Sequence, residues 1–217
     1  MYMNFWTVTK NLLQGFSITC ELFAFTLVLA LPLGLVVAFG ARSRFKPLCA
    51  VVRTIIWIIR GTPLMLQVIA IYYGPALLFG WGLLPRFVAV LVAFVINYAC
   101  YFAEIFRAGI ESVSAGQYEA GKVLGLTRCQ TFFKVILLQV IKRIVPPMGN
   151  EIITLVKDTS LARVIAVTEL VKAAQDIVGL KAIIWPIFYV GAFYLVFCGL
   201  LTILFRFIEK KLNYYRG

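Results

Sequence analysis

The sequence predicts an all-α, polytopic membrane protein, and three observations carry that prediction. Hydrophobic residues make up 62% of the 217 positions and the mean hydropathy is +0.95, against about 45–50% apolar residues in soluble domains. Four stretches carry no charge: Leu22–Ala41 with 20 residues, Gly61–Pro85 with 25, Phe87–Ala103 with 17 and Ala182–Phe205 with 24. About 20 apolar residues cross a bilayer as a helix. Finally, 21 Lys and Arg stand against 9 Asp and Glu, and the basic residues gather between the apolar stretches, as they do in cytoplasmic loops. That placement argues against nucleic-acid binding, which would need the net charge of +12 on a soluble face.

The charges also set the topology. Arg42, Arg44, Lys46 and Arg53 occur without an acid, and the tail carries Arg206, Lys210, Lys211 and Arg216 against Glu209. The turn "GWGLLPR" at 80–86 has one charge. Segments 42–53 and 206–217 are therefore expected in the cytoplasm and 80–86 outside. The N-terminus is then outside, the C-terminus inside, and the number of crossings odd. Ile144–Val167 must supply the missing crossing, although Glu151, Lys157, Asp158 and Arg163 interrupt it. Five spans follow, near 16–41, 54–79, 87–109, 144–166 and 183–207, in one transmembrane domain over 1–217, with 110–143 as a cytoplasmic loop. Trp81 and Trp185 lie near the outer ends, where interfacial aromatics or ordinary packing would place them. No internal repeat or low-complexity linker is visible, and no signal-peptide pattern is expected before the first span. There is no histidine, and Cys20, Cys49, Cys100, Cys129 and Cys198 are scattered, so neither a metal site nor a disulfide framework is expected.

Within the loop, "SAGQYEAGKVLGLT" at 114–127 imitates a phosphate-binding loop: Gly116, four residues, then Gly121-Lys122. Position 123 is Val where the magnesium-binding hydroxyl belongs, and Glu119 would face the phosphates with the wrong sign. Ser114-x-x-Gln117 and Thr127-x-x-Gln130 are capping-box patterns. Gly125 stands where a helix ends left-handed. The stretch therefore reads as a helix over about 115–124 and a second from about 128. Ala120 and Gly121 are small enough for another surface to approach closely, Glu119 suits the helix N-terminus, and Val123, Leu124 and Leu126 offer apolar contact. Such a helix fits either a docking knob for a soluble partner or an interfacial helix lying on lipid.

"YEAGKVLGLTRCQTFFKVILLQVIKRIVPP" resembles the cytoplasmic loop of ATP-binding-cassette (ABC) importer permeases, a Glu-Ala-Ala triplet followed three residues later by Gly. Here the triplet is Glu119-Ala120-Gly121 with Gly125 in place, while Leu138-Gln139 departs from the usual Leu-Pro and prolines arrive at Pro146-Pro147. "RGTPLMLQ" at 60–67, "AEIFRAGIESVSAGQYEA" at 103–120 and "KDTSLARVIAVTEL" at 157–170 resemble the polar amino-acid branch of that family. The resemblance spans nearly the whole chain. It implies the type I importer permease fold, with five spans and a cytoplasmic coupling helix. It implies a permease that forms the translocation path for a polar or charged amino acid in the bacterial cytoplasmic (inner) membrane. This chain would bind no cofactor and would not itself be an enzyme. ATP and magnesium would sit on a separate ATP-binding-cassette ATPase dimer, engaged through Glu119, Ala120, Gly121 and Gly125. A second permease, identical or homologous, and an extracytoplasmic amino-acid-binding protein would complete the assembly. The alternative is a self-contained secondary transporter or channel, which would need coupling-ion sites and often inverted repeats.

Depth supplies candidates for the path. A helix rises about 1.5 Å per residue through a core about 30 Å thick, so mid-membrane lies about ten residues from either edge. Counting inward reaches Gly61-Thr62-Pro63, Asn97-Tyr98 and Lys157-Asp158. Polar groups at that depth face a cavity or one another. Gly61 and Pro63 either loosen a helix or frame Thr62 as a contact, Asn97 either joins helices or faces the path, and Lys157 and Asp158 either neutralise one another or pair with neighbours, or line the path. Asp158 is the leading candidate for a substrate ammonium. Glu104 lies nearer the inner edge, where Arg107 at i+3 could pair with it. Ser160 and Gln67 complete the set.

Overall fold

The computed structural model describes residues 4–212, and among them the regular structure is entirely helical. Arg216 of the basic tail lies outside the described residues. Helix α1 (Phe5–Ala41) begins well before the expected residue 16 and runs for 37 residues. That is about 55 Å at 1.5 Å per residue, longer than the hydrocarbon alone requires. One stripe of α1, from Val8 through Leu22 and Ala30 to Ala41, is fully buried. From Leu22 onward it packs along α4 (Arg86–Glu111), which holds the buried Phe94, Tyr98 and Phe102, while Val8 and Leu12 pack against residues 170–190. The two backbones approach closely at Gly34, where an added Cβ would come within 2.9 Å of Phe102 Cβ and 3.0 Å of the Ala99 carbonyl. Small residues serve this purpose in membrane helix pairs, where close packing replaces the hydrophobic drive.

The span expected at 54–79 is not one helix. It is α2 (Lys46–Gly61) and α3 (Leu64–Phe79), bent by 106° at Thr62-Pro63. Pro63 has no N–H to continue the ladder and restricts the residue before it to extended conformations; Thr62 accordingly has φ −115° and ψ 144°. Gly61 and Pro63 therefore break the helix rather than merely loosening it.

The span expected at 144–166 also differs. After α5 (Ala115–Val123) and α6 (Arg128–Thr131), a π-helical turn at Phe132–Ile136 leads into α7 (Leu137–Asp158), which starts seven residues early and stops at Asp158. Residues Thr159–Ile165 form a 3-10 segment ended by Ala166 at φ 58°. The further helix α8 (Leu170–Lys181) precedes α9 (Trp185–Leu212). The buried Glu169 caps α8, accepting from the Val171 and Lys172 amides at 2.7 and 2.8 Å. Helices α1, α4 and α9 are each long and apolar enough to cross a membrane, and the bent α2–α3 pair adds a fourth candidate. Trp81 is exposed and packs on Phe79 at 5.3 Å, whereas Trp185 stacks on Phe5 at 5.9 Å beside the α8–α9 core.

Candidate functional site

The hairpin helix lies where the sequence places it. Gly116 through Lys122 are helical within α5, so the phosphate-loop look-alike has neither the strand nor the unwound loop that phosphate binding requires. The Thr127 capping box forms on both sides, with Thr127 Oγ1 accepting from the Gln130 amide at 3.2 Å and Gln130 Oε1 accepting from the Thr127 amide at 2.9 Å. The Ser114 box does not form: Ser114 is the N-cap residue of α5, but its side chain makes no cap bond. Gly125 adopts φ +70°, the left-handed turn that reverses the chain. Gly121 faces inward, where an added Cβ would meet Thr131 Oγ1 at 2.5 Å and Cγ2 at 2.6 Å. The opposite surface is open: Glu119 and Ala120 are exposed, as are Val123 at 88% and Leu124 at 75%. The result is a short helix with bare apolar side chains, braced from behind by a capped turn.

The mid-depth residues form two groups. In the first, Asn97 Nδ2 donates to Gln67 Oε1 at 3.0 Å, and Gln67 Nε2 reaches Thr62 Oγ1 at 2.9 Å and the Ile59 carbonyl at 2.8 Å. Asn97 is therefore an interhelical bond rather than a free lining group. In the second, the Tyr98 hydroxyl donates to Asp158 Oδ2 at 2.7 Å. Lys157 occupies an exposed position and makes no ion pair with Asp158 among the described residues, so Asp158 pairs with a neighbour, Tyr98. Adjacent residues on a helix point about 100° apart, so only Asp158 reaches α4. Ser160 is half-buried on the 3-10 segment, beside Thr159, whose hydroxyl donates to the Val156 carbonyl at 2.7 Å.

A cavity of about 300 Å³ opens between α2, α4 and α7, lined by Arg60, Tyr101, Glu104, Ser112, Arg143 and Glu151 among others. Arg60 lies over the Tyr101 ring, 5.0 Å from its centroid. Arg143 Nη1 donates to Ser112 Oγ at 2.8 Å. Glu104 pairs with Arg107 as its spacing predicts, and Arg107 also reaches Glu111, which lies 3.6 Å from Arg42 Nε. This ladder occupies Glu104 but leaves Glu151 without an ion pair or hydrogen bond among the described residues. The cavity thus presents a guanidinium and carboxylates together, the complement of a zwitterion. The sequence reading missed Arg60, Tyr101, Arg143 and Glu151. Glu151 was within reach: it precedes Asp158 by two helical turns, so the two carboxylates share a face of α7. Arg60 was not, because its place depends on the break in α2–α3.

These features define a polytopic helical membrane component with an exposed helical hairpin. The family model of the binding-protein-dependent transport system inner membrane component matches residues 30–214, and the chain belongs to that family. It is 38% identical over 216 residues to the L-cystine transport system permease protein TcyB of Bacillus subtilis, covering 98% of this chain and 89% of that one. It is 34% identical over 211 residues to the glutamine transport system permease protein GlnP of Escherichia coli, covering 96% and 95%. A crystal structure of an amino acid ABC transporter with histidines superposes with a TM-score of 0.86 at 33% identity, covering 97% of this chain and all of that one. An inward-facing structure of the MetNI methionine ABC transporter, at 17% identity and a TM-score of 0.70, shares the fold. The chain is accordingly a permease component with the type I importer fold.

Proposed function

We propose that this chain forms the translocation path of an ATP-driven importer for a polar or charged amino acid. The supporting observation is the cavity carrying Arg60 beside Glu104 and Glu151, with Asp158 and Tyr98 on the same two helices. A substrate carboxylate finds the guanidinium there, and its ammonium finds Glu151 or Asp158. By the residue count the cavity lies toward the inner edge, with Glu104, Ser112 and Arg143, and Asp158 lies about two helical turns beyond Glu151 along α7. Thr62, Asn97 and Gln67 border the path, and Ser160 follows Asp158 on the 3-10 segment.

In this reading the domain crosses the inner membrane five times, with α7 and the 3-10 segment as the fourth crossing. The N-terminus is outside and the C-terminus cytoplasmic, as the basic loops favour. ATP and magnesium are bound by a separate ATPase dimer whose surface grips α5 through Glu119, Ala120, Val123 and Leu124, with Gly121 and Gly125 shaping the helix behind it. A second permease and an extracytoplasmic binding protein complete the working complex. The test is co-expression with the products of neighbouring genes, followed by reconstitution into liposomes. Uptake of labelled cystine, glutamine, arginine or histidine should require ATP inside the cytoplasm-facing compartment, and competition among them should name the substrate. Uptake that persists without ATP, with no ATPase co-purifying, would replace this reading by a secondary transporter.

A further inference from the structure

The hydrogen bonds around the α2–α3 break account for more than the location of three polar residues. Breaking a helix orphans the last carbonyls of one segment, and within a bilayer no water satisfies them. Here side chains take that place. Thr62 Oγ1 donates to the Ile58 carbonyl at 2.9 Å, and Gln67 Nε2, from the first turn of α3, reaches back to the Ile59 carbonyl at 2.8 Å and the Thr62 carbonyl at 3.1 Å. The other end of the same amide accepts from Asn97, which is 4% exposed in α4. One glutamine thus ties α2, α3 and α4 together at the corner. The residue following Ile59 is Arg60, whose guanidinium is held over Tyr101 of α4 at the cavity.

We propose that Asn97, Gln67 and Thr62 form a clamp that sets the angle of the α2–α3 break and so holds Arg60 at the cavity. They serve transport as positioning residues rather than as substrate contacts. This rests on the proposed transport role. Both amide ends of Gln67 are engaged within the protein, and its two N–H groups are fully committed to Ile59 and Thr62. A substrate contact would need free donors or acceptors, as Glu151 has.

The test uses the reconstituted transporter with its ATPase and binding protein, and whichever of labelled cystine, glutamine or arginine the unsubstituted complex takes up. Asn97→Leu and Gln67→Met should each lower the uptake turnover about tenfold with KM within about twofold. The double variant should be no worse than either single one, because both remove one unit. Hydrogen exchange of amides 58–68 should rise in every case. If a buried variant fails to accumulate, the exposed Thr62→Val should show the same rise in exchange. A raised KM with normal turnover would overturn the clamp in favour of substrate contact. Multiplying losses in the double variant, or unchanged exchange, would overturn it as well. Absence of any uptake by the unsubstituted complex would instead strike at the transport role itself.

Discussion

Gly121→Ala adds one carbon where the hairpin has no room for it. The new Cβ would lie 2.5 Å from Thr131 Oγ1, 2.6 Å from Cγ2 and 3.1 Å from Cβ. Thr131 cannot easily yield: it is 3% exposed, its hydroxyl donates to the Thr127 carbonyl at 3.0 Å, and a β-branched side chain is stiff at χ1. Overpacking of this kind costs about 1–3 kcal/mol, and replacing Gly by Ala inside a helix returns about 1 kcal/mol. The net penalty of about 1 kcal/mol falls on the seating of α5 against α6. If the ATPase grips α5 as seated, its affinity for the permease in nanodiscs should fall about fivefold. Thr131→Ala removes both offending atoms, so the double variant should recover most of the loss when Thr131→Ala alone is the reference. Unchanged binding by Gly121→Ala, or a double variant no better than the single one, would refute the reasoning.

Three further outcomes are expected. Glu119→Lys reverses the charge on the exposed face of α5 and should uncouple ATP hydrolysis from uptake while membrane insertion stays normal; wild-type uptake would count against docking there. Asp158→Asn keeps an acceptor for the Tyr98 hydroxyl but removes the charge, so uptake KM should rise at least tenfold, whereas Tyr98→Phe, which deletes a bond to a charged group worth about 1.5–3 kcal/mol, should lower thermal stability as well; equal behaviour of the two in uptake and melting assays would contradict this division. Glu169→Ala removes the buried cap of α8 and should cost about 1–2 kcal/mol, read as a lowered melting temperature in nanodiscs, with Glu169→Gln milder because its carbonyl still accepts one amide.

Much was legible because it is local or compositional. Uncharged runs located α1, α4 and α9 since burying charge in hydrocarbon is costly wherever the helix packs. Thr127-x-x-Gln130 and Gly125 marked the hairpin turn because capping is a matter of neighbouring backbone. Counting residues singled out Thr62, Asn97 and Asp158, and in the fold Gln67 links Thr62 to Asn97 while Asp158 meets Tyr98 next to Asn97. Direction around the helix was harder: Ser114 matched its pattern without making the bond, and Lys157 took an exposed position while Asp158 reached Tyr98.

By itself, then, the sequence determined a helical membrane chain and its punctuation, since each follows from transfer energies and short-range geometry. The tertiary structure alone decided which polar groups meet. It turned an uncharged run into a 106° corner at Pro63, paired Tyr98 with Asp158 across 60 residues, and brought Arg60 to the cavity with Glu151. Those outcomes depend on how separate helices rotate and cross, which the packing of small residues such as Gly34 against α4 sets and no local pattern encodes.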